Sequence, residues 1–264
     1  MSTARELLWM RGGVEFLAVL LGISGSLLID EWREDRRQHQ EQLTILESVY
    51  EDILQTEQFI TEARMPAFQA DSVWMDFFSN RWEDLDVDSV ARALSRFGTN
   101  ASFHNTFLDF REFHPPISGM ELIMQDGSLK EIRNPQIRRL INRLIKTDLQ
   151  FVLKNVQTEI DMQIAFRQTL VDQDDPILAR VLSVSQTALQ RGFDGDESEL
   201  GRQAEELQYV LSKNYVRTYL NLKNRNRYFI MIFIRQFGDT LAELKEVVEQ
   251  ELEAGGRGTG AVSP

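Results

Sequence analysis

The chain has 264 residues, of which 41 are acidic and 29 are basic, so its net charge at pH 7 is −12. A hydrophobic fraction of 42% supports a folded core and excludes a wholly disordered chain. The acidic balance argues against nucleic acid as a partner, because binding to the phosphate backbone needs a basic face. There is no cysteine, which excludes disulfides and thiolate metal sites and leaves three histidines as candidate ligands.

The first predicted element is a membrane-spanning helix. The 14 residues 16–29 carry no charge, and extending the stretch back to Leu7 gives 23 residues. That length is enough to cross a hydrocarbon core of about 30 Å. The extension includes Arg11 and Glu15, which are four residues apart and can pair on one face of the helix.

Four residues of this segment are candidate membrane contacts. Trp9 and Trp32 flank the stretch where an aromatic belt lies at the two membrane interfaces. Gly22 and Ser26 have small-xxx-small spacing, which lets another transmembrane helix approach closely. Small residues are also tolerated against lipid, so this spacing fits either surrounding. We therefore expect the lipid bilayer and other membrane-protein subunits as partners.

Two alternatives to a membrane anchor stay open. The charge-free run is short enough for a helix buried in a protein core. Arg5 and Arg11, followed by Ser24-Gly25-Ser26, also resemble a signal peptide and its cleavage site. Arginines are balanced between the two flanks, so the positive-inside rule does not decide the orientation. The lack of cysteine favours an exported domain, so we expect a single-pass protein of the inner (cell) membrane with its main domain in the periplasm.

Beyond this segment, apolar residues keep helical spacing almost to the end of the chain. One long helix is predicted to leave the membrane and continue to about Arg64, and Pro66 starts the next segment. A short helix is predicted at 87–97. Glycines and prolines predict a loop over 112–128.

Two helix starts are marked by capping residues. Asn134-Pro135 and Asp175-Pro176 each place an N-cap directly before a proline at the first helical position. The first of these helices has apolar spacing for more than thirty residues. A last helix is predicted from about Ser198 to Leu252.

Two features of the last helix suggest how it packs. The apolar run 228–234 is too short for a second membrane span, and we interpret it as a helix segment buried on all sides. Lys223, Arg225 and Arg227 form a basic spot, for which a solvated helix face is the favoured interpretation and a partner or headgroup contact the alternative.

The predicted fold class is therefore all-α, with an N-terminal transmembrane helix followed by a bundle of long helices. Residues 1–37 form the membrane anchor and its flanks, and residues 38–254 form a helical extramembrane domain. Residues 255–264 have the glycine-rich composition of a flexible tail.

Three stretches resemble a known group of proteins: 15–37 with Asp30-Glu31-Trp32, 122–141 with Asp126-Gly127 ahead of Asn134, and 220–252. They resemble a bacterial domain-of-unknown-function family whose members carry a membrane helix ending in a Trp-containing acidic motif, followed by a long helix. The resemblance implies a membrane anchor and a helical body, and it implies no catalytic residues. The chain differs from the family's usual Asn-Asn-Trp at Asp30-Glu31-Trp32.

The sequence predicts no catalytic, cofactor-binding or metal-binding residues. It has no glycine motif of the Rossmann or P-loop type, and His104 and His114 have neither helical i, i+4 spacing nor an obvious third ligand. We expect a non-enzymatic, membrane-anchored accessory or scaffold subunit of a larger bacterial membrane complex, such as an energy-transducing one. The alternative is a membrane-anchored enzyme or small-ligand receptor with a pocket inside the bundle, around Trp74, Trp82, His104 and His114.

Overall fold

The fold is that of a computed structural model. It describes the backbone of residues 3–84, 86, 88, 107, 110–178 and 197–259. Side chains are described within those ranges from residue 29 onward, apart from residues 197–200, 203 and 256–259. The described part of the chain contains helices and no strand, which confirms the all-α prediction.

The described residues form seven α-helices, which we number in chain order. They are α1 (Thr3–Gln58), α2 (Met65–Asn80), α3 (Ser118–Gln125), α4 (Pro135–Arg143), α5 (Leu149–Gln173), α6 (Glu197–Ser212) and α7 (Asn214–Thr259). Single π-helical segments, Phe59–Arg64 and Leu144–Asp148, join α1 to α2 and α4 to α5. Two short 3-10 helices lie at Trp82–Asp84 and Ser128–Glu131.

The long helix predicted to run to about Arg64 changes its hydrogen bonding before that residue. The α-helical part ends at Gln58, and the chain passes through the π-helical segment directly into α2. Both flanking residues, Gln58 and Met65, have right-handed helical backbone angles. Pro66 starts a new segment as predicted, because at the second position of α2 it interrupts few backbone hydrogen bonds.

The bundle is built from three long helical columns: α1 with α2, α4 with α5, and α7. Helix α7 contacts both of the other columns. Tyr50 Oη donates to Glu249 at 2.7 Å, and Lys245 Nζ donates to Glu57 at 2.7 Å. Residue numbers therefore rise along α1 while they fall along α7, so the two helices are antiparallel.

Two hydrophobic clusters lie one above the other along the bundle. The lower cluster, nearer the start of the domain, is built mainly from α1, α3, α4, the first half of α5 and the second half of α7. It includes Leu46, Val49, Ile53, Phe68, Phe113, Met120, Ile137, Val152, Ile230, Phe237 and Leu244. The upper cluster joins α2, α5, α6 and the start of α7. It includes Trp74, Met75, Phe78, Phe166, Leu211, Tyr219 and Leu220.

The loop predicted over 112–128 is wrong in its middle, where α3 forms. Gly119, one of the glycines that predict this loop, instead allows a close approach between two helices. A Cβ at this position would lie 2.6 Å from Ser48 Oγ. The side chain of Asp52 accepts a hydrogen bond from the backbone N–H of Met120 at 2.7 Å and so caps α3 from the neighbouring helix.

Both predicted capping residues act as expected. Asn134 Oδ1 accepts from the backbone N–H of Gln136 at 2.9 Å, and the helix column that starts there continues to Gln173. Asp175 Oδ1 accepts from the backbone N–H of Ile177 at 3.0 Å. The remainder of that second helix lies outside the described residues, as does the helix predicted at 87–97 apart from Asp88.

The single last helix predicted from Ser198 is two helices. The break falls between α6 and α7 at Lys213, whose carbonyl accepts the first bond of α7 from the N–H of Val216 at 3.1 Å. Ser212 Oγ donates to the carbonyl of Tyr209 at 2.6 Å, a local bond that competes with helix continuation.

Helix α7 continues past residue 254, where the composition predicted a flexible tail. A Cβ on Gly255 would lie 2.6 Å from Leu43 Cδ2, so the glycine lets α7 pack closely on α1. The helix ends at Thr259.

No helix in the part of the chain that the structure describes is both long and apolar enough to cross a membrane. The backbone of 3–28 is helical, but Trp9, Gly22 and Ser26 lie outside the described side chains. Trp32 is exposed, with the guanidinium carbon of Arg36 4.8 Å from the centre of its ring.

Candidate functional site

Three buried charged residues lie at the junction between the two hydrophobic clusters, one on each helical column. They are Asp71 on α2, Glu159 on α5 and Arg227 on α7, and we call them the ion layer. None is more than 2% exposed. Since lone charges are costly to bury, this layer holds the three columns in a single register.

The guanidinium of Arg227 bridges the other two residues. Its Nη1 donates to Asp71 Oδ2 at 2.6 Å and its Nη2 to Glu159 Oε1 at 2.5 Å, while its Nε also donates to Glu159. Arg111 supports the layer from the side, because its Nε and Nη2 donate to the two oxygens of Asp71 at 2.6 and 2.9 Å. The guanidinium carbon of Arg227 lies 4.7 Å from the centre of the Phe68 ring.

Asp71 and Arg227 stay charged at neutral pH. Burial acts to raise the pKa of Asp71, but hydrogen bonds and positive charge from Arg111 and Arg227 outweigh it, so this pKa lies below its ordinary value. Burial acts to lower the pKa of Arg227, and Glu159 and Asp71 reverse that effect and raise it. The ion pairs of this layer join α2, α5 and α7.

A surface groove lies directly outside the ion layer, between α2 and α7. Its volume is about 720 Å³. We call it the α2–α7 groove, and its lining residues are Ser72, Val73, Asp76, Asn221, Asn224, Arg225, Tyr228, Phe229 and Met231. Ser72 and Tyr228 follow Asp71 and Arg227 in the chain, so the buried ion pair fixes the two helices that form the walls.

The apolar wall of the groove comes from the run 228–234, whose predicted burial on all sides is wrong. Ile230 and Ile234 are fully buried in the lower cluster. Tyr228 is 60% and Phe229 is 40% exposed, and on α2 Val73 is 46% exposed. Seven consecutive residues extend around the whole circumference of a helix, so some of these apolar side chains must lie on its outward face.

A second prediction is wrong for two of its three residues. Lys223, Arg225 and Arg227 were predicted to form a solvated basic spot. Lys223 and Arg227 are fully buried, and only Arg225 is exposed. Arg225 forms no salt bridge with any residue that the structure describes. On the opposite wall the buried Ser72 hydroxyl has no hydrogen-bond partner among the described residues, and Asp76 accepts from Asn80 Nδ2 at 2.7 Å.

A smaller depression of about 260 Å³ lies between α1 and α7. Its floor is apolar, from Ile53, Ile60 and Leu241, and the Lys245–Glu57 salt bridge of 2.7 Å lies at its edge. Arg235 and Asp239 complete its charged lining.

Of the residues of the alternative interior pocket, Trp74 and Trp82 both belong to the upper cluster, whereas His114 adjoins the lower cluster. Trp74 is 2% exposed and stacks on Phe78 in the upper cluster at 5.1 Å. The Trp82 ring is covered by the guanidinium of Arg217 at 4.5 Å. His114 is exposed, with Nε2 3.1 Å from Glu112, and its neighbour in the chain belongs to the lower cluster. His104 lies outside the described residues.

Among the described residues there is no group of three or more His, Asp or Glu side chains placed to hold a metal ion. No protein-family model, curated protein or solved structure matches this chain. The resemblance to a bacterial family of unknown function therefore stays a prediction from the quoted motifs.

Proposed function

We propose that this protein is a single-pass, membrane-anchored accessory or scaffold subunit that holds a helical docking domain beside a larger membrane complex. The domain binds other proteins and catalyses no reaction of its own. The membrane is the inner (cell) membrane, and the domain lies on its periplasmic side.

The observation that carries the proposal is the continuity of α1. This helix has 56 residues, which corresponds to a length of about 84 Å. Its first part contains the charge-free stretch 16–29, and its last part packs Leu46, Val49 and Ile53 in the lower cluster at 0% exposure. Between them, residues 29–38 are all exposed. One helix thus joins the predicted anchor to the core without a flexible linker.

The groove supports a binding role for the domain. Aromatic side chains and arginine are the residues that contribute most to protein interfaces. Here Tyr228, Phe229 and Arg225 lie together on one exposed face, over a floor held in place by the ion layer. Such a pre-formed surface loses little conformational entropy on binding.

Fractionation of cells that express the full-length protein tests the anchor. We expect the protein in the membrane pellet after an alkaline carbonate wash and in solution only after detergent is added, because residues 7–29 are predicted to span the bilayer. Release of the protein by carbonate alone would contradict the anchor.

The orientation is tested by protease treatment of intact spheroplasts. A periplasmic domain is digested without lysis, whereas protection until lysis would place it in the cytoplasm.

Within the membrane, Gly22→Leu should lower the recovery of partner subunits in mild detergent, since it fills the small-residue face. Leu20→Phe adds bulk on the opposite side of the helix and should leave recovery unchanged.

A further inference from the structure

The α2–α7 groove is part of a larger exposed aromatic surface. Phe233 lies one helical turn beyond Phe229, and Phe151 of α5 stacks on it with ring centres 5.3 Å apart. Phe151 is 47% exposed and Leu222, on the other side of Phe229, is 51% exposed. Single exposed apolar residues are ordinary, but a continuous set on neighbouring helices marks an interaction surface.

The groove has the dimensions of a helix-binding site. Its lining residues on α7 extend from Asn221 to Met231, ten residues along the helix axis. At 1.5 Å per residue this is about 15 Å, or nearly three turns of a bound helix. Apolar residues on two walls with polar groups between them are what an amphipathic helix needs when it lies in a groove.

The charges of the groove define the chemistry of its occupant. Arg225 is exposed and has no salt-bridge partner among the described residues, so its guanidinium is available to donate to an acidic group. Asp76 lies on the opposite wall and favours a basic group in the same segment. The net charge of −12 also attracts a partner that is basic as a whole.

We propose that the α2–α7 groove docks an amphipathic helix of a partner protein, which places a carboxylate on Arg225 and an apolar face on Val73, Tyr228 and Phe229. This inference rests on the proposed function, because it names the surface through which the anchored domain binds its complex. The partner segment carries one acid within one turn of its apolar residues, and the segment is otherwise basic. The aromatic side chains provide most of the affinity, and Arg225 fixes the register of the bound helix.

Co-purification from mild detergent tests the proposal with the full-length, C-terminally tagged protein. Arg225→Glu should reduce the recovery of the partner at least tenfold, because the partner's carboxylate would face a second carboxylate. Arg139→Glu is the matched control: Arg139 is an exposed helical arginine outside the groove, and the change in net charge is the same. It should leave recovery within twofold of the wild type.

A charge swap then identifies the contact. Once the co-purifying chain is known, changing its predicted carboxylate to arginine should restore binding to the Arg225→Glu variant and weaken binding to the wild type. Equal recovery with Arg225→Glu and Arg139→Glu would overturn the groove while leaving the proposed function intact. A wild-type protein that co-purifies with no other chain would overturn both, and recovery of a second copy of this chain in place of another protein would overturn the proposed occupant.

Discussion

Removing Arg227 is the most informative perturbation of the fold, because this single guanidinium pairs with two buried carboxylates. In Arg227→Met, Asp71 keeps both hydrogen bonds from Arg111, whereas Glu159 loses the bonds to both of its oxygens. Breaking a buried ion pair by removing one partner costs about 3–5 kcal/mol. Since native domains are stable by about 5–15 kcal/mol, we expect this variant to lose a large part of its unfolding free energy.

Two further variants separate lost charge pairing from lost packing. Arg225→Met changes an exposed arginine two residues away, and we expect a change of no more than about 0.5 kcal/mol. Arg227→Met combined with Glu159→Leu removes both the cation and the carboxylate it leaves unpaired. The double variant should recover at least about 2 kcal/mol relative to Arg227→Met, because an apolar pair avoids the desolvation cost.

Urea unfolding of the full-length protein in mild detergent, followed by far-ultraviolet circular dichroism, measures these differences. The slope of the transition should stay constant while the midpoint moves. If Arg227→Met unfolds within about 1 kcal/mol of Arg225→Met, the ion layer does not hold the columns together and the reasoning is refuted.

The remaining predictions use the same assay. Gly238→Ala should stabilise the protein by about 0.5–1 kcal/mol, since the added Cβ meets nothing within 4 Å. Gly119→Ala should destabilise it by about 1–3 kcal/mol, because the added Cβ would collide with Ser48. A change of the same sign for both variants would contradict the packing. Gln163→Met should stabilise by about 1–3 kcal/mol, because this fully buried amide has no hydrogen-bond partner within the described part of the chain. A loss of stability would show that the amide is paired. The stability that Asp71 contributes is complete above the ordinary carboxyl pKa of about 4 and is lost as the pH falls through its lower folded pKa. Asp71→Asn should therefore flatten the loss of stability below about pH 4, and an unchanged acid dependence would refute the assignment.

The sequence predicts the helix starts well because their signals are local. Asn134 and Asp175 each precede a proline, and one side-chain oxygen caps the following turn in each case. Gly119 carries the opposite lesson. Its role depends on Ser48 and Asp52, which are far away in the chain, so no local pattern separates a glycine at a helix contact from one in a loop.

Helical spacing alone predicts part of the ion layer and of the groove, namely which basic side chains of α7 are buried. Lys223 and Arg227 are four residues apart and share a face with Leu220 and Ile230, which are apolar and buried. Arg225 falls on another face, so grouping the three as one basic spot was the error. The acidic partners Asp71 and Glu159 lie on other helices, and their pairing with Arg227 follows only from the tertiary fold.

Site-specific photocrosslinking in intact cells tests the central claim most directly. A photoreactive phenylalanine analogue replaces Tyr228, which is 60% exposed in the groove, or Val171, which is 74% exposed elsewhere. The account predicts one membrane-bound adduct with a different protein from position 228, and none from position 171. The linked peptide should carry an acid within one helical turn of its apolar residues. An adduct of equal yield from both positions, or a crosslink from position 228 to this chain itself, would contradict the account.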